Sequence, residues 1–593
     1  MANETPPNGQ ALPPAEAPAQ PIAQNQVPAE SPLPKKAGRW ARFTSWYTGR
    51  KRWTIPLTVL LVILILAGVP WTRYHAAGLV LKRDLKIKVV DSTTNTPVSG
   101  AMVSIGSNSV ETDAAGQATL PQTKVGHHQV VLSKKYYKTN QTDVLTPILK
   151  QKTLPVIALS ATGRQVKVSV RNLVNKNMLS GVNIKVAGIT AKTDVTGSAV
   201  IVLPVGLAEQ KGTLNKDGFN SADVTIKISN DGVQNNQFDL TPAGQVYFLS
   251  KLSGKIDVVK TNLDGTDRQT VLAGTGNEDD QGTVLLASRD WKYLALLSRR
   301  AGNSPSLYLL NTADDSLTTI DSGSASFNPV GWVNDTFIYT VTRNDTQLWQ
   351  SGRQALKSFN APSKKLIVLD QTTASGTNQY DYISELLGGV YAYDNQVYYI
   401  KNWTAGFNVS SSDIASKQAT FNAVNADGSG KKAIKSFGLA DSTQAIDVTL
   451  EEQVKSPSQT ELKFSDGTKD NFYIFADGQV KADSNMTAEN FYTTSYPTYL
   501  LSPSGNQTFW AEQRDGKNTL FIGDEEGENG KQIATLSEYN TYGWYTDDYL
   551  LVSKDASELY IMAKDGSQEP IKISDYHKPQ QTFYGYGGGY GGL

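Results

Sequence analysis

The chain has 593 residues, with 56 Lys+Arg balanced by 56 Asp+Glu, and no cysteine. The charge balance speaks against a nucleic-acid partner. The missing thiols exclude disulfides, cysteine catalysis and Cys-ligated metals, so every exported domain must bury a core of its own.

Residues 1–37 are rich in Pro and Ala with almost no large apolar side chain. Too little surface is available to offset the entropy of ordering, which predicts a disordered cytoplasmic tail. Residues 38–52 place Trp40, Phe43, Trp46 and Tyr47 near one face of a helix, with arginines between them. The segment reads as a basic amphipathic juxtamembrane helix or as a plain topogenic charge cluster. From Trp53 to Trp71 the sequence WTIPLTVLLVILILAGVPW carries no charge. At about 1.5 Å per residue a helix of this length just crosses a ~30 Å hydrocarbon layer, with a Trp at each headgroup boundary. The expected partner of Trp53–Trp71 is therefore the lipid bilayer, as an uncleaved signal-anchor. Lys35, Lys36, Arg39, Arg42, Arg50, Lys51 and Arg52 precede the span, while Arg73, Lys82, Arg83 and Lys86 follow it, offset by Asp84. This excess predicts a cell-membrane protein with a cytoplasmic N-terminus and an extracytoplasmic bulk. Residues 72–83 read as a linker.

Period-two alternation begins at Asp84. Leu85, Ile87 and Val89 recur 81 positions on as Val166, Val168 and Val170, and Thr112-Asp113-Ala114-Ala115-Gly116 recurs as Thr193-Asp194-Val195-Thr196-Gly197. Two copies at one spacing are an internal duplication of small β-sandwiches over 84–160 and 164–242. In each TDxxG step the Asp bonds its own backbone in a hairpin turn. Pro97-Val98-Ser99-Gly100-Ala101-Met102-Val103, the two TDxxG steps and the late Tyr136-Tyr137 and Gly218-Phe219 resemble the carboxypeptidase regulatory-like (PEGA-like, prealbumin-like) domain. That resemblance implies a non-catalytic module, a spacer or weak glycan binder, with no catalytic residue to carry over.

From 245 to 584 short strands recur every 40–55 residues, among them Ser306–Leu310, Gln396–Ile400, Asn471–Phe475 and Glu558–Met562. Sheets at this period are the mark of a β-propeller. Units start near 245, 283, 327, 382, 445, 496 and 541, which favours seven blades, with six as the alternative. Leu501-Ser502-Pro503-Ser504-Gly505 resembles the S-P-D-G step of TolB-like propellers, with Ser504 in the place of its Asp. Residues 403–420 read as a loop excursion of the fourth unit. The first unit offers three strands only, and Gln581–Tyr584 is expected to pair with it and close the ring. The rival source of that strand is Phe238–Leu240. The Gly/Tyr-rich end, 585–593, is expected to hang free.

Chemical motifs are scarce. Histidine is confined to His75, His127, His128 and His577, with no HExxH and no Gly-x-Ser-x-Gly elbow. Asp279-Asp280, Asp314-Asp315 and Asp524-Glu525-Glu526 fit Asx turns better than a calcium loop. The expected fold class is an all-β ectodomain on one N-terminal transmembrane helix: two tandem Ig/prealbumin-like β-sandwiches plus a β-propeller. The expected function is that of a bacterial surface protein offering the propeller to a protein or glycan partner. No catalytic, cofactor or metal residue is assigned, no cofactor is expected, and the chain reads as not an enzyme. A glycosidase-type envelope hydrolase, marked by paired carboxylates in the propeller funnel, and a structural scaffold are the alternatives.

Overall fold

The structure is a computed structural model that describes residues 39–49, 51–68, 70–92, 95–204, 208–229, 233–393, 395–440, 445–535 and 538–578. They fall into two units: Met1–Arg83 with Thr123–His127 and Leu145–Lys150, and Asp84–Gln122 with His128–Val144 and Gln151–Leu593. The expected tail at 1–37 and the expected closing strand at 581–584, with the free end after it, lie outside the described residues.

The first unit is helical: α1 (Arg39–Gly49), α2 (Lys51–Gly68) and α3 (Pro70–Val80). On α1 the i, i+3 and i+4 spacing stacks Trp40, Phe43, Trp46 and Tyr47 in a chain of rings 6.1–6.3 Å apart. On α2 the consecutive run from Val59 to Ile65 is exposed on every residue, and 100° steps spread those seven side chains around the whole helix. Trp53 sits on α2 and Trp71 on α3, and residue 69 between the two helices lies outside the described residues. Among the described residues no helix is long and apolar enough to cross a membrane. Within the stretch 72–83, expected as a linker, α3 runs to Val80.

The second unit opens with seven strands: β1 (Lys82–Asp91), β2 (Met102–Ile105), β3 (Asn108–Glu111), β4 (Gln117–Lys124), β5 (Gly126–Ser133), β6 (Asn140–Thr146) and β7 (Val156–Leu159). They form two sheets, ordered β4-β1-β7 and β3-β2-β5-β6. Seven more repeat the plan: β8 (Arg164–Asn172), β9 (Asn183–Val186), β10 (Ile189–Lys192), β11 (Ser198–Leu203), β12 (Glu209–Asn215), β13 (Ala222–Lys227) and β14 (Gln234–Leu240). Their sheets are ordered β11-β8-β14 and β10-β9-β12-β13. In both copies the last strand runs parallel to the first. Alternating Val, Ile and Leu from both sheets fill each core, around Leu85, Ile87 and Val89 in one and Val166, Val168 and Val170 in the other. The turn chemistry repeats as well. Thr112 Oγ1 donates to Val98 O at 2.6 Å and Thr193 Oγ1 to Leu179 O at 2.6 Å. Asp113 and Asp194 each accept two backbone N–H groups of their own turn.

From Gln245 onward seven sheets follow one another, at 245–272, 284–321, 325–371, 374–448, 450–482, 500–535 and 539–575. They are blades 1–7 of a β-propeller. The expected excursion at 403–420 is smaller than predicted: the strand Gln396–Ala405 runs into it, a short helix (Ser411–Ala415) follows, and Gln418 starts the next strand. Phe238–Leu240 belongs to β14 and supplies no strand to the propeller.

Blade 1 holds three strands, β15 (Gln245–Ser250), β16 (Asp257–Asn262) and β17 (Gln269–Leu272). A recurring irregularity shows which places these three take. In blades 2, 3, 4, 6 and 7 the register slips in the pairing of the last two strands along the sheet, at Leu307/Tyr308, Leu356/Lys357, Phe421/Asn422, Leu520/Phe521 and Leu559/Tyr560. The same slip occurs between β16 and β17, at Val258/Val259. By this marker β15, β16 and β17 stand as second, third and fourth strands, and among the described residues none takes the innermost place of blade 1. Side chains pack blade 1 against blade 7 at this seam. Val246, Phe248, Val259 and Leu263 share a core with Leu551, Leu559, Ile561 and Ile573 of blade 7. One backbone bond, His577 N to Leu249 O at 2.8 Å, joins them.

Candidate functional site

The first strands of the blades converge on a cavity of about 230 Å³. Its wall takes Leu286 from blade 2, Val330 and Trp332 from blade 3, Tyr391 from blade 4 and Val454 from blade 5. Leu500 and Leu501 of blade 6 and Tyr542 and Trp544 of blade 7 continue it. Tyr247 of β15 also lines it.

The tryptophans are held by their polar edges. Trp332 Nε1 donates to Leu286 O at 3.2 Å and Trp544 Nε1 to Leu500 O at 2.7 Å, each reaching the preceding blade. Both follow a glycine at a β-bulge, in Gly331-Trp332 and Gly543-Trp544, where the slipped register re-aims the side chain. Trp291 of blade 2 reaches blade 7 and donates to Trp544 O at 2.8 Å. The indole N–H groups are thus spent on the ring, and apolar ring surface is left toward the cavity. The Tyr247 hydroxyl is used too, donating to Asp315 Oδ1 at 2.8 Å. The hydroxyls of Tyr499 and Tyr542, which also line the wall, make no hydrogen bond among the described residues, and burial raises the pKa of both.

Arg289 is the charged residue of the lining. It sits in the turn Ser288-Arg289-Asp290-Trp291 between the first and second strands of blade 2. Ser288 N donates to Tyr293 O at 2.7 Å and Trp291 N to Ser288 O at 2.9 Å. The blade 6 turn Ser502-Pro503-Ser504-Gly505 has the same bonds, Ser502 N to Gln507 O at 2.8 Å and Gly505 N to Ser502 O at 2.9 Å. The two turns are equivalent, with Arg289 in the place of Pro503 and Trp291 in the place of Gly505. Trp291 adopts φ 61°, the left-handed region that Gly505 occupies at φ 77° without a Cβ penalty. Arg289 crosses the channel toward the blade 6 turn, so that a Cβ placed on Gly505 would stand 3.7 Å from its Nη1. Among the described residues no carboxylate or other acceptor pairs with this guanidinium, and burial lowers its pKa.

Among the described residues no carboxylate lines this cavity. The acidic clusters noted in the sequence serve the fold. Asp280 pairs with Lys251 and His577, Asp315 with Lys260, and Asp524 caps its own turn. Among the described residues no group of three or more His, Asp or Glu side chains is placed to hold a metal ion. The His127 ring meets Tyr74 edge-on at 6.5 Å.

No family model and no curated protein matches the chain. Similar solved structures are propellers. The β-propeller domain of the Trilobed protease from Pyrococcus furiosus is 12% identical over 57% of this chain and 94% of its own, with a TM-score of 0.30. The acylaminoacyl peptidase of Pyrococcus horikoshii is 13% identical over 57% of this chain and 50% of its own, with a TM-score of 0.30. TolB from Acinetobacter baumannii is 13% identical over 55% of this chain and 77% of its own, with a TM-score of 0.21. Likeness at this level speaks to the fold alone. It nevertheless corrects one expectation: two of these three structures come from peptidases, so the reading of the chain as not an enzyme is withdrawn.

Proposed function

We propose that the protein is a membrane-anchored, extracytoplasmic binding protein whose propeller channel receives a protein or glycan partner. The observation that carries this reading is the channel cavity, an apolar and aromatic wall with one unpaired guanidinium in it. Concave apolar sites with few, placed polar groups are where ligands bind. The anchor is supported by α2, whose apolar side chains are exposed around its full circumference, an arrangement that suits lipid and not water. The charge excess before Trp53 supports a cytoplasmic N-terminus. The two sandwiches then serve as the spacer that the carboxypeptidase regulatory-like resemblance implies.

A photo-crosslinking residue placed at Leu501 in the cavity, or at Val195, which is 90% exposed on the second sandwich, tests the reading in the full-length protein on cells. Adducts are expected from position 501. Adducts from position 195 alone would move the partner to the sandwiches and replace this reading with the scaffold one. Protease added to intact cells should digest the chain beyond residue 84 and spare a tag at residue 1. Loss of that tag overturns the orientation.

A further inference from the structure

Arg289 poses a problem of charge. A guanidinium taken out of water without an anion loses hydration and gains nothing in return. The turn that presents it could have carried the proline of its blade 6 counterpart, which has no such cost. Trp291 in the same turn holds a left-handed backbone that a bulky residue rarely adopts, and strain of this kind collects at ligand sites. Both departures point side chains into one channel.

Resting on the reading of the channel as a binding site, we infer that it receives the C-terminal carboxylate of a peptide, with Arg289 as its anion anchor and the apolar cavity as the seat of the last side chain. The planar fork of arginine matches a carboxylate bidentately, and the anion supplies the charge that the surrounding residues withhold. The rest of the wall selects what carries that carboxylate. The indole N–H groups of Trp291, Trp332 and Trp544 are already bonded to carbonyls, so besides Arg289 the hydroxyls of Tyr499 and Tyr542 are the side-chain donors that the aromatic wall leaves for a ligand, enough for one amide. A sugar acid would bury several hydroxyls per ring against leucine and indole faces, each at a cost. A terminal apolar residue brings its carboxylate, one amide and a side chain that the wall matches. A volume of about 230 Å³ falls below the ~300–1,000 Å³ of typical small-molecule sites and suits the end of a chain. Capture of a C-terminal carboxylate is a recurring mode of peptide recognition.

The test uses the full-length protein in detergent, with calorimetry and tryptophan fluorescence as readouts, since three tryptophans surround the cavity. The probes are acetyl-Ala-Ala-Phe as the free acid, the same peptide as its C-terminal amide, and a diuronate. The acid should bind at least about tenfold more tightly than the amide, the size expected of one charge-assisted contact. Arg289→Leu should abolish that preference and Arg289→Lys retain part of it, both with an unchanged melting midpoint. The acid–amide comparison in the unmodified protein stands even if a variant fails to fold. Equal binding of acid and amide overturns the anchor while leaving the channel a binding site. Binding of the diuronate alone overturns the peptide class. If neither peptide binds, the inference falls, while crosslinks from position 501 would still uphold the broader reading.

Discussion

Glu452 shows how one side chain sets a pH dependence. Its Oε1 is buried, lies against the bulge glycine Gly389 and has no hydrogen-bond partner among the described residues. Burial, with a smaller contribution from the nearby charge of Glu451, pushes its pKa from 4.5 up to about 8. Between those values the folded protein keeps a proton that the unfolded chain releases. Stability should therefore fall as pH rises from 4.5 to 8, at ~1.4 kcal/mol per unit at most, and level off above. Glu452→Gln should flatten that slope, leaving stability near pH 5 unchanged and raising it at pH 8.5, as read by denaturant titrations at both. Gly265, at φ 79° in the β16–β17 turn, sits against Ile573 O of blade 7. Gly265→Ala adds a Cβ where that carbonyl stands and strains the backbone, and should cost about 2 kcal/mol or more in the same assay. At this scale the sequence hid the key residue. Arg289 is an ordinary turn residue until Ser288-Arg289-Asp290-Trp291 is aligned with Ser502-Pro503-Ser504-Gly505, and three of the four positions differ.

Between blades, buried acids act as clamps. Asp321, at the end of the blade 2 outer strand, accepts from Tyr339 at 2.9 Å and Lys357 at 2.7 Å in blade 3. Asp370 repeats the arrangement one blade on, accepting from Tyr399 at 2.6 Å and pairing with Lys431 at 2.6 Å. Asp370→Ala leaves a buried hydroxyl and an ammonium without their acceptor. It should destabilise the propeller by about 3 kcal/mol, with Tyr399→Phe costing less because the ion pair survives. The strands themselves were legible, since alternation and Asx-Gly turns are local. Blade starts expected near 283, 327 and 541 compare with strands beginning at Val284, Ala325 and Tyr539. Starts expected near 445 and 496 fall ahead of the strands at Leu450 and Leu500, where apolar residues such as Ile446, Tyr496 and Tyr499 lie in connections and mimic strand pattern. The slips between the last two strands of the blades have no residue signature.

At the scale of the molecule the 81-residue duplication reappears as two sets of seven strands in the same order, because register and turn chemistry repeat together. The count of three strands in blade 1 was legible, but their places in the blade were not, since position depends on pairing partners far along the chain. Among the described residues blades 1 and 7 are held together by a shared core, where Phe248 is 1% exposed. Phe248→Ala should cost about 3–5 kcal/mol and should unfold the propeller at a lower temperature than sandwich strands β1–β14, as followed by hydrogen exchange in the two regions.

The same feature has a mechanical side. The chain passes from β14 straight into β15, so tension arriving from the sandwiches is delivered to blade 1, which among the described residues has three strands. Among those residues the inner edge of β15 is held by side chains and by one backbone bond from His577, and a strand loaded at its end comes away bond by bond. Pulled in an optical trap from residue 84 against a handle on blade 4, the ring should rupture first at blade 1, at a force well below that of the remaining sheets. The propeller would then open as a weak link placed next to its own tether.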